Sequence, residues 1–158
     1  MSITIRQAGV GDGSTLHAMA LELATNHGHG QDFTAVPEDF ERFLADPSPV
    51  GGAFIAFWAG EPAGSAIWHR SFSTFRGRET LYLEDLSVLP GHRRRGIGNE
   101  LLRAVARLAQ SRGLPAISWL MMDWNAGARR LYEAAGAEIE GGTCYCRLSG
   151  EALERLGS

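Results

Sequence analysis

Hydrophobic positions along the chain recur with two periods, and their order predicts strands that alternate with helices. Ile3 to Gln7 alternates as a short strand does, and a helical spacing then follows Asp12 as far as the glycine-rich stretch Gly28 to Gly30. A second helix is predicted from Pro37, because proline is favoured in the first helical turn. The chain is therefore predicted to open as a strand followed by two helices.

The middle of the chain is predicted to form a hairpin, a long strand and a helix. Ala53 to Ala59 and Ala63 to His69 flank a turn, and Thr80 to Leu89 is a further strand. A helical stripe follows, and Gly113 with a nearby proline ends it. The apolar positions of that stripe are Ile97, Leu101, Val105 and Leu108.

The last part of the chain adds a parallel strand and a second short helix. Ala116 to Met122 is predicted as a strand, and it follows the strand Thr80 to Leu89 after about one helix length. The two strands are therefore expected to be parallel, with a right-handed crossover. Asn125 is suited to cap a short helix, and a last strand is predicted around Thr143 to Leu148. Since no repeat or linker interrupts the pattern, residues 1–158 are predicted to form a single α+β domain.

Composition narrows the class of protein. The chain has 158 residues, of which 44% are apolar and 21% charged, and its net charge is −3. Such a chain is expected to fold, and it lacks the large basic surface that binds nucleic acid. No apolar run approaches the roughly 20 residues that cross a bilayer, and the N-terminus has no apolar signal segment. We expect a cytoplasmic protein that binds neither nucleic acid nor a membrane.

Cysteines and histidines give no indication of a metal site. Cys144 and Cys146 are separated by a single residue in a predicted strand, a spacing poorly arranged for a disulfide between them, so we expect reduced thiols. His27 and His29 have the one spacing that resembles a ligand pair, but the glycines around them indicate a loop. No metal is predicted.

A loop that binds an anion is predicted between the strand Thr80 to Leu89 and the helix after it. The segment Arg93 to Gly98 places three arginines and two glycines where unpaired helix amides and the helix dipole favour a negative ligand. A pyrophosphate suits such a loop. Nucleoside triphosphates and NAD are disfavoured, because no Walker A motif is present and Leu101 stands where a dinucleotide fingerprint has its third glycine. From this motif alone, a solvated basic turn remains an alternative.

Three motifs together resemble the GNAT superfamily of acetyl-CoA-dependent N-acetyltransferases, and most closely its diamine and thialysine branch. They are Tyr82 to Pro90, then Arg93 to Gly98, then Trp124-Asn125 with Leu131 to Ala137, and they span about a third of the chain. The first 50 residues match only in outline. The resemblance implies a mixed, mostly antiparallel sheet of six or seven strands flanked by helices, with a splayed pair of parallel central strands.

The resemblance also implies roles for particular residues. The pantetheine arm of coenzyme A would pair with the backbone of Leu86 and Val88 and contact Asn125, and Tyr132 would lie near the thioester sulfur. The backbone of the loop would bind the pyrophosphate. The loop residues are Arg93, Arg94, Arg95, Gly96, Ile97 and Gly98.

Acetyl transfer needs a neutral amine and a stabilised thiolate, and two side chains suit these tasks. Glu84, on a strand face predicted to hold Tyr82, Leu86 and Val88, is a candidate general base. Because glutamates ordinarily titrate near pH 4.3 and alkylamines near pH 10, a relay through water is favoured over direct deprotonation. The alternative for Glu84 is a carboxylate paired with an arginine.

Tyr132 is the candidate acid. Proton transfer from a phenol with a pKa near 10 to a thiolate costs about 2 kcal/mol. We therefore expect Tyr132 to donate a hydrogen bond to the thiolate rather than to transfer its proton completely. The alternative for Tyr132 is an aromatic side chain that packs in the core.

The predicted reaction is transfer of an acetyl group from acetyl-CoA to a primary amine of a small molecule, by direct attack in a ternary complex. Asp85 is a candidate for binding the substrate ammonium. Arg76, in a basic turn, disfavours a polyamine and suits the carboxylate of an amino acid or its analogue. A protein N-terminal or lysine acetyltransferase and a non-catalytic module that binds coenzyme A remain alternatives. The resemblance implies a homodimer, through the strand near Cys144 to Leu148.

Overall fold

A computed structural model of the chain describes residues 2–158. The backbone groups into two compact units, one up to Asn125 and one from Ala126 to Ser158, and each is described by itself. The single domain over residues 1–158 remains a prediction.

The first unit contains a mixed sheet whose strands lie side by side in chain order. The first four strands pair antiparallel, and the fifth pairs parallel with the fourth, as the crossover predicts. The sheet has five strands, so the expected six or seven is wrong for the described residues, and the parallel pair lies at one edge of the sheet rather than at its centre. The strands are β1 (Ile3–Gln7), β2 (Gly51–Trp58), β3 (Glu61–Ser73), β4 (Arg78–Val88) and β5 (Ile117–Ser118).

Two predicted strands differ in the structure. The strand predicted over Ala116 to Met122 shrinks to β5, since beyond Ser118 the chain no longer runs beside β4. Thr143 to Leu148 is described but forms no strand, and its residues are exposed. Local sequence favours strand conformation in both segments, but a strand forms only where a partner strand is available.

The tight turn between β2 and β3 is made by two left-handed residues. Ala59 has a φ of 51° and Gly60 a φ of 88°, the backbone of a two-residue hairpin that follows the strand twist. The predicted hairpin is therefore confirmed. Its turn begins at Ala59, one residue before the predicted turn of residues 60–62.

Three helices pack on the sheet within the first unit: α1 (Gly13–Asn26), α2 (Pro37–Ala45) and α3 (Ile97–Ser111). One core cluster joins Leu16 and Met19 of α1 to Ile55 of β2, and Phe40 of α2 packs against it. α3 buries Ile97, Leu101 and Val105 of the predicted stripe, whereas Leu108 is half-buried.

The second unit contains two helices, α4 (Ala126–Ala134) and α5 (Gly150–Gly157). α4 ends as predicted at Gly136, whose φ of 85° allows Ala137 N to donate to Tyr132 O at 3.0 Å. α5 was not predicted, although Ser149 followed by the spacing of Leu153 and Leu156 is a helix signal.

Among the described residues, no helix is both long and apolar enough to cross a membrane.

Candidate functional site

A β-bulge in β4 sets the geometry of the site. On β3, Ile67 lies opposite Asp85 while the next residue, Trp68, lies opposite Leu83. Glu84 is thus the extra residue of β4, without a partner position of its own. A bulge bends its strand, and this one lies just after the two residues at which β4 pairs with β5.

The bulge breaks the side-chain alternation that the sequence predicted. Glu84 was expected to share a face with Leu86 and Val88. Instead, its Oε2 lies 3.3 Å from Nε2 of His69, which is the register partner of Tyr82. The side chain of Glu84 is 57% exposed, so the carboxylate is solvated rather than buried in an apolar face.

Beyond the bulge, β4 presents backbone groups away from β3. Leu89 N donates to Ala63 O at 2.9 Å, and in an antiparallel ladder the hydrogen-bonded residues alternate. The amides and carbonyls of Leu86 and Val88 therefore point away from β3, on the side where β5 does not extend within the described residues. This edge is where the resemblance predicts that pantetheine pairs.

The predicted loop ends at the N-terminus of α3, close to that edge. Gly96 caps the helix with a φ of 83°, and the first helical hydrogen bond runs from Glu100 N to Gly96 O at 3.1 Å. The amides of Ile97, Gly98 and Asn99 therefore precede the helical ladder. α3 packs closely on β3, because a Cβ at Gly64 would lie 3.2 Å from Leu101 Cδ1.

The three consecutive arginines have different surroundings. Arg93 Nε donates to Val88 O at 3.1 Å, so this side chain covers one carbonyl of the open edge. The Arg95 guanidinium lies 5.0 Å from the centre of the Trp58 ring. Arg94 takes a left-handed φ of 59° and is exposed. The backbone of the turn, more than a cluster of free cations, is the part shaped to bind an anion.

Asp85 faces a pocket of about 210 Å³ that α1 and the segment after it enclose. Burial raises the pKa of Asp85 to about 6, and the neighbouring Glu84 carboxylate contributes to the rise. Most of the lining is apolar. The lining residues are Ala20, Leu23, Ala24, His27, His29, Phe33 and Asp85.

The sequence analysis missed the two histidines of this pocket. His27 and His29 were interpreted as part of a loop, and they do follow α1, but both line the pocket. Burial lowers the pKa of His27, with a smaller contribution from His29. The His27 ring meets Trp124 edge to face at 5.7 Å, so the pocket wall reaches the segment just before Asn125. The His-Gly-His spacing was the available signal in the sequence, but it did not indicate that these side chains would line a pocket.

Asn125 and Tyr132 lie at and beyond the end of the first unit. Asn125 N donates to Met122 O at 3.0 Å, and α4 begins at the next residue. Tyr132, on α4, is 8% exposed, and burial raises the pKa of its phenol.

Arg76 lies away from the other predicted substrate residue. It is exposed in the turn between β3 and β4, and the strand from Arg78 to Asp85 spans roughly 23 Å at about 3.3 Å per residue. The side chain of Arg78 donates to Gly113 O at 2.9 Å. Among residues 2–158, no group of three or more side chains is arranged to hold a metal ion.

Comparison with known proteins identifies the family. Residues 16–137 match the acetyltransferase (GNAT) family, and the chain belongs to it. The resemblance stated from the three motifs is thereby confirmed, over a longer stretch than the motifs themselves cover. Thialysine N-epsilon-acetyltransferase of Sus scrofa is 33% identical over 170 residues, which cover 98% of this chain and 97% of that protein.

A plant relative and a solved structure extend the comparison. L-ornithine N5-acetyltransferase of Arabidopsis thaliana is 30% identical over 128 residues, 81% of this chain, and the aligned part is 52% of the plant protein. An integron cassette protein from the mobile metagenome of V. cholerae superposes with a TM-score of 0.78 at 22% identity, covering 99% of this chain and 98% of that one. The last comparison supports the fold alone.

Proposed function

We propose that this protein transfers the acetyl group of acetyl-CoA to a primary amine of a small molecule, by direct attack in a ternary complex. The observation that carries the proposal is the open edge of β4, where the backbone of Leu86 and Val88 faces away from β3 near the N-terminus of α3. An extended ligand with a phosphate end matches both features.

Coenzyme A suits these residues. Its pyrophosphate would accept hydrogen bonds from the amides of Ile97, Gly98 and Asn99, and Gly96 lets the backbone turn without a Cβ. Its pantetheine amides would pair with Leu86 and Val88, which requires Arg93 to leave the Val88 carbonyl or to share it. Asn125 would contact the same arm. Bound acetyl-CoA supplies the activated acyl group.

The pocket beside Asp85 is the proposed acceptor site. An ammonium there would meet one carboxylate in a pocket of about 210 Å³ whose other walls are apolar side chains and two histidines, which suits a small substrate with one charged amine inside the pocket. Thialysine and ornithine, which appear in the names of the two relatives, are amino acids with a side-chain amine. We therefore propose an amino acid or its analogue. Because of its distance along the hairpin, Arg76 would not meet the same small molecule.

Glu84 and Tyr132 are assigned the proton transfers. The exposed Glu84 carboxylate, next to Asp85, would accept the ammonium proton directly or through water. Tyr132 would donate a hydrogen bond to the departing sulfur. Because burial raises the pKa of Tyr132, complete proton transfer to sulfur is costlier than for an ordinary phenol, and stabilisation by a hydrogen bond is favoured.

A thiol-release screen tests the proposal. Purified protein with acetyl-CoA is assayed against thialysine, ornithine, other amino acids, diamines, aminoglycosides and peptides, with a protein-free control. Release with a free amino acid or its analogue is expected. Release with peptides alone would indicate a protein acetyltransferase, and coenzyme binding without release on any amine would indicate a non-catalytic module.

A homodimer is the proposed assembly. The segment Thr143 to Leu148 is exposed, and its Tyr145 and Leu148 are 72% and 47% exposed. A second copy would provide the pairing edge that the segment lacks. Light scattering after size exclusion gives the mass directly, and a monomer at micromolar concentration would contradict the proposal.

A further inference from the structure

His69 has surroundings that none of the roles assigned so far explains. It lies on β3 opposite Tyr82, and the two rings stack with centroids 5.0 Å apart and an interplanar angle of 29°. Its Nδ1 is 3.0 Å from the carbonyl oxygen of Arg70, and its Nε2 is 3.3 Å from Glu84 Oε2. The side chain is 39% exposed, so solvent reaches the ring.

Hydrogen bonding determines where the protons of this ring lie. A carbonyl oxygen only accepts, so Nδ1 carries a proton directed at Arg70 O. A neutral imidazole has one N–H, which leaves a lone pair on Nε2 facing a carboxylate oxygen. Two acceptors at 3.3 Å repel each other, and the contact becomes favourable when one proton is held between His69 and Glu84. The pair is therefore built to take up one proton.

The other neighbours of His69 leave this proton to Glu84. On β4, the ring faces Tyr82 and Glu84. On β2, its partner position is Gly51, which has no side chain. The guanidinium of the adjacent Arg70 is paired with Glu79 at 2.7 Å.

We propose that His69 is a positioning residue that acts through Glu84. It holds the Glu84 carboxylate in place and shares the proton that Glu84 removes from the acceptor amine. This inference rests on the proposed function. The ammonium N–H bond breaks, its electron pair stays on nitrogen for attack, and the proton passes to the Glu84–His69 pair. From Nε2 it leaves to solvent while Nδ1 stays protonated, so the pair returns to its starting state after each turnover.

Chemical rescue distinguishes this role from simple packing. His69→Ala opens a space beside Glu84, and kcat is expected to fall roughly tenfold to a hundredfold, the range for a weakened proton acceptor, with an unchanged KM for acetyl-CoA. Imidazole in the buffer is expected to restore much of the rate. His69→Gln, which keeps a donor toward Glu84 but takes up no proton, is expected to preserve folding and to lose rate without responding to imidazole.

Two controls make the test specific. Arg70→Gln breaks a neighbouring ion pair between β3 and β4 and should leave kcat and the imidazole response unchanged. In a Glu84→Gln background, His69→Ala should add little further loss, because its effect passes through that carboxylate. The inference would be overturned if the rate losses of His69→Ala and Glu84→Gln multiplied in the double variant. It would also be overturned if either single variant kept the full rate.

Nitrogen NMR of the ring requires no activity. At alkaline pH, His69 is expected to carry its proton on Nδ1, and a proton on Nε2 instead would overturn the inference. Failure of the proposed function is distinguishable, because the wild-type protein would then release no thiol with any amine, whatever the tautomer of His69.

Discussion

Glu84 and Asp85 are adjacent in sequence, yet their carboxylates occupy different environments. The bulge leaves Glu84 solvated beside His69, whereas Asp85 faces the apolar pocket next to α1. The two neighbouring carboxylates thereby have different surroundings, and burial raises the pKa of Asp85.

Asp85→Asn is expected to stabilise the protein at neutral pH and weaken substrate binding. The pKa of Asp85 is raised to about 6 from 3.8, so the folded chain binds this proton more tightly than the unfolded chain does. Stability from this group is full below about pH 4 and is lost as pH rises through 6, by about 3 kcal/mol. Unfolding in urea at pH 4 and pH 7.5 should show the variant more stable than wild type only at pH 7.5.

The same Asp85→Asn variant should show a raised KM for the amine, with coenzyme affinity unchanged. Glu38→Gln, an exposed carboxylate on α2 outside the pocket, is the matched control. Equal amine KM values for Asp85→Asn and wild type would remove Asp85 from the acceptor site.

Tyr132→Phe is expected to lower kcat by roughly a hundredfold, because the hydrogen bond to the departing sulfur is lost while the ring keeps its packing. Coenzyme A binding, measured by calorimetry, should remain near that of wild type. Tyr145→Phe alters an exposed tyrosine and should leave kcat unchanged. An unaltered rate in Tyr132→Phe would exclude this phenol as the acid.

Gly96→Val is expected to weaken coenzyme binding at least tenfold. The backbone φ of 83° is strained for a β-branched residue, so the turn must shift and the amides at the start of α3 move with it. Gly91→Ala, at a nearby turn residue with open space around it, should bind coenzyme A as wild type does. Equal dissociation constants for Gly96→Val and wild type would refute the loop assignment.

Gly64→Ala tests how the sheet positions α3. A Cβ at Gly64 would lie 2.5 Å from the carbonyl oxygen of Ser87 and 3.3 Å from Ile97 Cγ2, so strand or helix must move. We expect a loss of about 1 to 3 kcal/mol in unfolding free energy, together with weaker coenzyme binding. A variant with wild-type stability and affinity would show that the close packing has no role in the site.

Local sequence patterns predicted most of the sheet and the helices that surround it. The strand at Ile3 to Gln7, the hairpin, and the strand, helix and parallel strand from β4 to β5 follow from periodicity and turn residues. The short length of β5 and the lack of a strand over Thr143 to Leu148 were not predicted by these patterns, because strand formation also requires a hydrogen-bonded partner strand.

The candidate site was predicted in its backbone features but not in its side-chain environments. Glycine at position 96 and the basic turn indicated the loop, because φ and helix capping are local properties. The bulge at Glu84 is a property of two strands together, so the simple alternation of β4 wrongly grouped Glu84 with Leu86 and Val88, whereas it lies beside His69, the partner of Tyr82. His69 carries no motif and His27 has only the His-Gly-His spacing, and it is the pairing of β3 with β4 and the path of the chain after α1 that bring them near Glu84 and Asp85.

The additional residue in β4, Glu84, divides that strand into one part before the bulge and one part after it. Substitutions between Arg78 and Leu83 fall before the bulge, whereas those from Glu84 to Val88 fall at and beyond it, where β4 no longer pairs with β5. Removing that position would reverse the orientation of every side chain on one side of it.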